Sequence, residues 1–318
     1  MKKVKKILLW IILVFLLLSI GTFITIPFVV MNSMLNRHVS FNKTWTAEEF
    51  GLEAEHFFVK TEDGFNISAY EVTVDTPKAV IVCLSGIHNP SATIYFGHAQ
   101  LFKKHNFATI MLDMRSHGES DGNKICIGYK EWLDVKAIIK HIKDKPLYNN
   151  VPVIVFGVSM GGATAINATG EIADIDGLIS LSAFSSWEDV FYDNMKTSVP
   201  KIFAKICKPF VSLVTYLKFG TDSRTIMPKK EIEKLENRPA LLMHSKDDSQ
   251  VPFRSFETII EHAPLHVEIF IRKGDIHFIT EDFVNPEEDK EYADKIIQFI
   301  NKVNANTLTF TRISDITI

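Results

Sequence analysis

The sequence predicts a doubly wound, mostly parallel α/β sheet with an inserted helical cap, carried behind one N-terminal transmembrane helix. Three observations carry that prediction. Six short apolar runs alternate with segments of helical period between residues 78 and 274. One interval, at about 185–235, breaks this rhythm and holds no such run. Residues 7–31 carry no charge.

The apolar N-terminal run, ILLWIILVFLLLSIGTFITIPFVVM, follows the basic tip MKKVKK. At about 1.5 Å per residue it is long enough to cross a hydrocarbon layer of roughly 30 Å. Lys2, Lys3, Lys5 and Lys6 outnumber the basic residues just beyond it, Arg37 and Lys43. That bias puts the N-terminus in the cytoplasm and the remainder outside, as a single-pass protein. A cleaved signal peptide is the competing reading. The run exceeds a usual signal core, and SIG at 19–21 is a poor small-x-small cleavage site. Residues 32–52 are polar and mixed and read as a stalk, 53–305 as the globular domain, and 306–318 as a C-terminal tail. The tail is an extra strand, a partner contact or disorder.

A chain of 318 residues with 46% hydrophobic content can bury a large core. Its net charge of −3 excludes the basic surplus of a nucleic-acid binder. Cys83, Cys126 and Cys207 form no CxxC pair and no disulfide or zinc framework, so neither metal nor cofactor is implied. No residue pattern specifies an oligomeric state.

Within the domain, HFFVKTEDGFNISAYEVTV reads as two strands around a turn at EDG. The runs at 78–86, 107–114, 151–159, 177–184, 239–245 and 267–274 are apolar on both faces, as parallel strands covered by helices require. Between them, Trp132, Val135, Ile138, Ile139 and Ile142 recur at helical spacing, and EEDKEYADKIIQFINKV is the last helix. In the cap, Ile202, Phe203, Ile206, Phe210, Val214 and Leu217 form one stripe expected to pack inward, with Pro209 kinking the helix and Lys201, Lys205 and Lys208 on the wet face. A lid turned toward lipid is the alternative use of that stripe. Ligands of such a sheet bind beyond the carboxyl ends of its strands.

At one of those ends stands Gly157-Val158-Ser159-Met160-Gly161, followed by Gly162. A nucleophile on a strained strand-to-helix turn needs neighbours without side chains, because a Cβ there would strike the adjoining strand and helix. The N–H of Met160 and the helix N-terminus then face any oxyanion that forms. A serine needs a base, and the base an orienting carboxylate. His277 follows the last strand run, and Asp247 or Asp248 follows the one before it. The order is Ser, Asp, His. His117 with Asp113 is a rival pair that turn chemistry and pairing of Arg115 explain instead, and His88 is a loop histidine near the substrate path.

These stretches resemble the α/β-hydrolase family over about residues 55–303, in particular its bacterial serine hydrolases with a helical cap. LSGIHNPSA looks like the oxyanion loop, LDMRSHGESDG a DxRxHGxS loop, GVSMGG the nucleophile elbow, KDDSQVP the acid loop and GDIHF the base loop. The resemblance implies Ser159, Asp248 and His277 as catalytic residues, with the backbone N–H groups of Met160 and Ile87 as the oxyanion hole. It departs from the family where Ser85-Gly86 replaces His-Gly, RSHG replaces Arg-Gly-His-Gly, and Ser245 replaces a frequent Gly. It implies a carboxylesterase- or lipase-like enzyme acting on a small ester or acyl substrate, with thioester and short peptide as other substrates and an S9-type peptidase as the other enzyme. An acyltransferase using the same residues, and a non-catalytic membrane binding protein on this scaffold, are the competing functions.

Overall fold

A computed structural model of the chain describes residues 2–88 and 91–316. Asn89 and Pro90 of the expected oxyanion loop, and the final two residues of the tail, lie outside that description.

Eight strands form one sheet in the order β1-β2-β4-β3-β5-β6-β7-β8. The hairpin β1 (Glu55–Lys60) and β2 (Asn66–Val72) is antiparallel and joins β4 antiparallel, whereas β3 (Ala79–Leu84) and β4 (Phe107–Leu112) begin the parallel part. It continues through β5 (Val153–Val158), β6 (Gly177–Leu181), β7 (Ala240–Ser245) and β8 (Glu268–Arg272). Strands β3 to β7 are buried along their whole length, which is why their sequences are unbroken apolar runs. Strand β8 differs from the expectation of a doubly covered strand. It alternates between half-buried and exposed, because it is the sheet edge and has β7 as its one neighbour.

Ten α-helices complete the described chain. Helix α1 spans Lys2–Leu35; α2 (Phe96–Lys104), α3 (Trp132–Asp144) and α4 (Met160–Glu171) connect the central strands. Between β6 and β7 lie α5 (Trp187–Ser198), α6 (Lys201–Phe219) and two short turns, α7 (Asp222–Thr225) and α8 (Pro228–Glu231), which together form the helical insert. Helices α9 (Phe253–His262) and α10 (Lys290–Ile316) follow β7 and β8. Two apolar clusters fill the space on either side of the sheet, one containing Val82, Ile110, Val155 and Ile138, the other Ile81, Phe156, Ile179 and Ile300. Ala163 and Ala165 let α4 lie close enough to be buried from Met160 to Thr169.

Three expectations need correction. Residues 32–52 do not stand off as a stalk. Val39 N–H donates to Ser116 O (2.7 Å), Gly118 N–H donates to Val39 O (2.9 Å), and Leu35, Val39, Ala47 and Leu52 are buried. Polar composition hid this, since backbone hydrogen bonds leave no trace in residue type. In α6 the buried side chains are Ala204, Val211, Val214, Thr215 and Phe219, while Ile202, Phe203, Ile206 and Leu217 are exposed. The expected inward stripe therefore shares only Val214 with the observed buried face. Finally, α10 continues to Ile316, so most of the expected tail is helix and not a strand.

Candidate active site

The loops after β5, β7 and β8 meet at the carboxyl rim of the sheet, and each carries one expected residue. Ser159 holds φ 57° and ψ −119°, a strained conformation for a side chain with a Cβ, between the end of β5 and the start of α4. Its neighbours make room for the turn. A Cβ on Gly157 would sit 2.1 Å from Gly161 O, and one on Gly161 would sit 2.2 Å from Leu84 O. These contacts press the first turn of α4 against the exit of β3, so the Met160 N–H, which has no acceptor within its own helix, lies beside the loop that begins at Ser85. Ile87, Ser159 and Met160 line the same cavity.

The expected acid and base are joined directly. His277 Nδ1 donates to Asp248 Oδ2 at 2.8 Å, and both side chains are buried. Gln250 N–H and Val251 N–H donate to Asp248 Oδ1, each at 2.9 Å. Burial pushes the Asp248 carboxyl up, yet these hydrogen bonds and the His277 and His244 rings outweigh it and hold the group below the usual carboxylate range. With the proton fixed on Nδ1 by an ionised acceptor, Nε2 of a neutral His277 carries the lone pair a general base needs. Asp247, the other carboxylate left open by the sequence, is exposed and accepts from Gly274 N–H at 3.2 Å. Adjacent residues point to opposite sides of the loop, and only Asp248 faces the ring.

The two loops are sewn together below this pair. Lys246 N–H donates to Arg272 O (2.7 Å), Ser249 N–H donates to Asp275 Oδ1 (2.8 Å), and the Ser245 hydroxyl donates to Gly274 O. The serine of this loop thus supplies a bond that a glycine at that position lacks. On the other side, Ser159 N–H donates to Leu181 O (2.8 Å), and the next residue, Ser182, donates its hydroxyl to His277 O (2.7 Å). The end of β6 therefore ties the serine turn to the histidine loop. The Ser159 side faces the cavity, and among the described residues no hydrogen bond joins its hydroxyl to His277. Such catalytic hydrogen bonds often close only around bound substrate.

His117 and Asp113 lie elsewhere and do other work. Asp113 Oδ1 accepts from Ala92 N–H (2.7 Å), and burial pushes its carboxyl up to about 6. Arg115 pairs with Asp134 and Asp63, each at 2.7 Å, which anchors the loop. That loop delivers His117, whose Nε2 donates to Ile87 O at 2.5 Å. His117 is thus a positioning residue for the inferred oxyanion donor, a role the turn chemistry of its loop did not disclose. His88 donates from Nε2 to Met34 O of α1 (3.3 Å), so the same loop is also held by the N-terminal helix. Burial lowers the affinity of His88 for a proton.

Above the serine opens a cavity of about 800 Å³. The loop after β6 contributes Phe184, the insert Trp187, Phe191 and Phe203, and α1 Phe23, Ile26, Pro27, Val30 and Met34. None of the described residues lining it is charged. Among the described residues no group of three or more His, Cys, Asp or Glu side chains gathers to hold a metal ion.

Residues 75–231 match the hydrolase family described as serine aminopeptidase, S33; the sequence motifs alone pointed, for peptidases, to the S9 type. The uncharacterized Bacillus subtilis protein YqkD is 24% identical over 259 residues, 80% of this chain and 82% of that one. An uncharacterized membrane protein of Saccharomyces cerevisiae is 20% identical over 146 residues, 46% of this chain and 51% of that one. Among solved structures, a Pyrococcus furiosus esterase superposes with a TM-score of 0.65 at 22% identity, covering 85% of this chain and 97% of that one.

Proposed function

We propose that this chain, which has the α/β-hydrolase fold, is a membrane-anchored serine hydrolase that cleaves carboxylic esters with an apolar acyl or alcohol part. The observation that carries the reading is the Asp248–His277 pair, 2.8 Å apart, on the rim where Ser159 is held at φ 57° beneath an apolar cavity. His277 takes the proton of Ser159 as its oxygen attacks the ester carbonyl, and Asp248 stabilises the imidazolium that forms. The N–H groups of Met160 and Ile87 receive the developing negative charge. His277 returns the proton to the departing alcohol, leaving an acyl-enzyme. Water, deprotonated by the same ring, then releases the acid and restores the serine.

An aminopeptidase must hold a substrate ammonium group, a task for a carboxylate, and the uncharged cavity wall favours an ester instead. The solved esterase of similar fold agrees with this choice. The most apolar 18-residue stretch of helix α1 has a mean hydropathy of 2.9, and the helix is long and apolar enough to cross a membrane. The lysines at its start support an uncleaved anchor with a cytoplasmic N-terminus and the catalytic domain outside, and the yeast relative is itself named a membrane protein. Fluorophosphonate labelling of the full chain and of Ser159→Ala tests the reading. Labelling lost in the variant, together with hydrolysis of p-nitrophenyl butyrate, is the expected result. Equal labelling of both proteins rejects Ser159 as the nucleophile.

A further inference from the structure

Helix α1 changes character along its length. Val4 to Leu18 is exposed on every side, as a free membrane span would be outside its bilayer. Beyond that, Phe23, Pro27, Met31 and Leu35 recur every fourth residue and face the protein. Phe23 stacks on Phe210 of α6 at 5.5 Å, Met31 meets Thr215, and Met31 and Leu35 are fully buried. The same helix end walls the cavity over Ser159, from Met34 near the oxyanion loop to Phe23. Eleven residues of helix separate those two positions, about 16 Å along the axis. The cavity thus leads from the serine back along the anchor toward the bilayer.

Helix α6 runs beside it in the same direction. Phe210 pairs with Phe23, Thr215 with Met31, and Lys218 with Asn32. The first two turns of α6 therefore lie level with α1 residues that precede Phe23, at the depth of the span. There Ile202, Phe203 and Ile206 are 62%, 51% and 42% exposed, an apolar face that water disfavours and lipid accommodates. Lys201 and Lys205 share these turns and are exposed. Phe203 also lines the cavity, which joins the lipid-facing turns to the site.

Resting on the ester hydrolase reading, we propose that the substrate is a bilayer-resident ester whose acyl chain enters sideways between α1 and α6, the first turns of α6 being immersed in the outer leaflet. The anchor is then a wall of the site as well as a tether. In the reaction the bond from Ser159 Oγ to the acyl carbon forms as the ester C–O bond breaks. Water later supplies the hydroxyl of the released acid, and its proton restores the serine.

The test uses the full chain in phosphatidylcholine vesicles, with two variants. Phe203→Trp reports depth through quenching by lipids brominated on their acyl chains, read above the wild-type tryptophan background. Val30→Trp narrows the channel and is assayed on p-nitrophenyl palmitate and butyrate, with short-chain fluorophosphonate labelling as a check that its fold is intact. Quenching of the added indole, and a fall of about ten- to a hundredfold in the palmitate-to-butyrate ratio of kcat/KM, are expected. An unquenched indole, or a ratio within about twofold of wild type in a variant that still labels, overturns the proposal. Wild-type protein inactive on both esters and unlabelled by fluorophosphonate overturns the hydrolase reading and this proposal with it, whereas activity on butyrate with an unquenched indole overturns the proposal alone.

Discussion

The two sides of the cavity over Ser159 are built in opposite ways. On the sheet side the expected functional groups are held by directed hydrogen bonds: Asp248 by two backbone N–H groups and His277, His277 by Asp248 and Ser182, and Ile87 by His117. On the other side, α1, α5 and α6 offer aromatic and aliphatic side chains, several of them exposed, with an uncharged lining. The difference fits what the proposed reaction asks of each side. Proton transfer and oxyanion stabilisation demand placement within fractions of an ångström. Holding a flexible acyl chain demands apolar volume, which the helical wall supplies. Substitutions on the sheet side should therefore change kcat, and those on the helical side should change chain-length preference.

The largest effect is expected from Asp248→Asn, which keeps the shape but removes the charge that fixes the His277 tautomer. A loss of about 10,000-fold in kcat for butyrate hydrolysis, with KM little changed, is the expected outcome of steady-state assays. His117→Ala frees Ile87 O and lets the oxyanion loop shift, so kcat should fall by about a hundredfold, and His117→Gln, whose amide can donate again, should recover part of it. A uniform loss of folded protein in place of a kcat change would assign His117 to the scaffold alone.

Asp113→Asn sharpens the comparison through pH. The folded value of Asp113 is raised to about 6 from an ordinary 3.8, so the fold favours its protonated form. Its contribution to stability is best at low pH and is lost as pH rises from the ordinary value through the folded one. Above that window, burying the charge costs roughly 2–3 kcal/mol. The amide can still accept from Ala92 N–H, so thermal melts should show the variant gaining on wild type between about pH 4 and pH 7 and holding the gain above. The smallest effect belongs to the helical side. Phe191→Ala removes part of the wall and should lower kcat/KM for a long-chain ester by about tenfold while moving the butyrate value less.

What was legible in the sequence divides along the same line. The strands of the parallel sheet are readable because burial on both faces demands unbroken apolar runs, and the serine turn is readable because Gly157 and Gly161 have no room for a Cβ. The acid was narrowed to two neighbours, since only the backbone of the loop decides whether residue 247 or 248 faces the ring. The helical side was read least well. A period of 3.6 finds the stripe on α6 but not its partner, and the partner is α1, some 190 residues earlier, a segment whose composition signals lipid alone. The packing of residues 32–52 was hidden for a related reason: Val39 bonds through its backbone, which every residue type shares.

The most direct measurement is peptide mapping by mass spectrometry of the full chain quenched in acid during turnover of a p-nitrophenyl ester. The acyl mass should appear on the peptide carrying Ser159, accumulate in a variant whose deacylation is slowed, and be absent from Ser159→Ala. Acylation of a different residue, or turnover undiminished in that variant, would contradict the account.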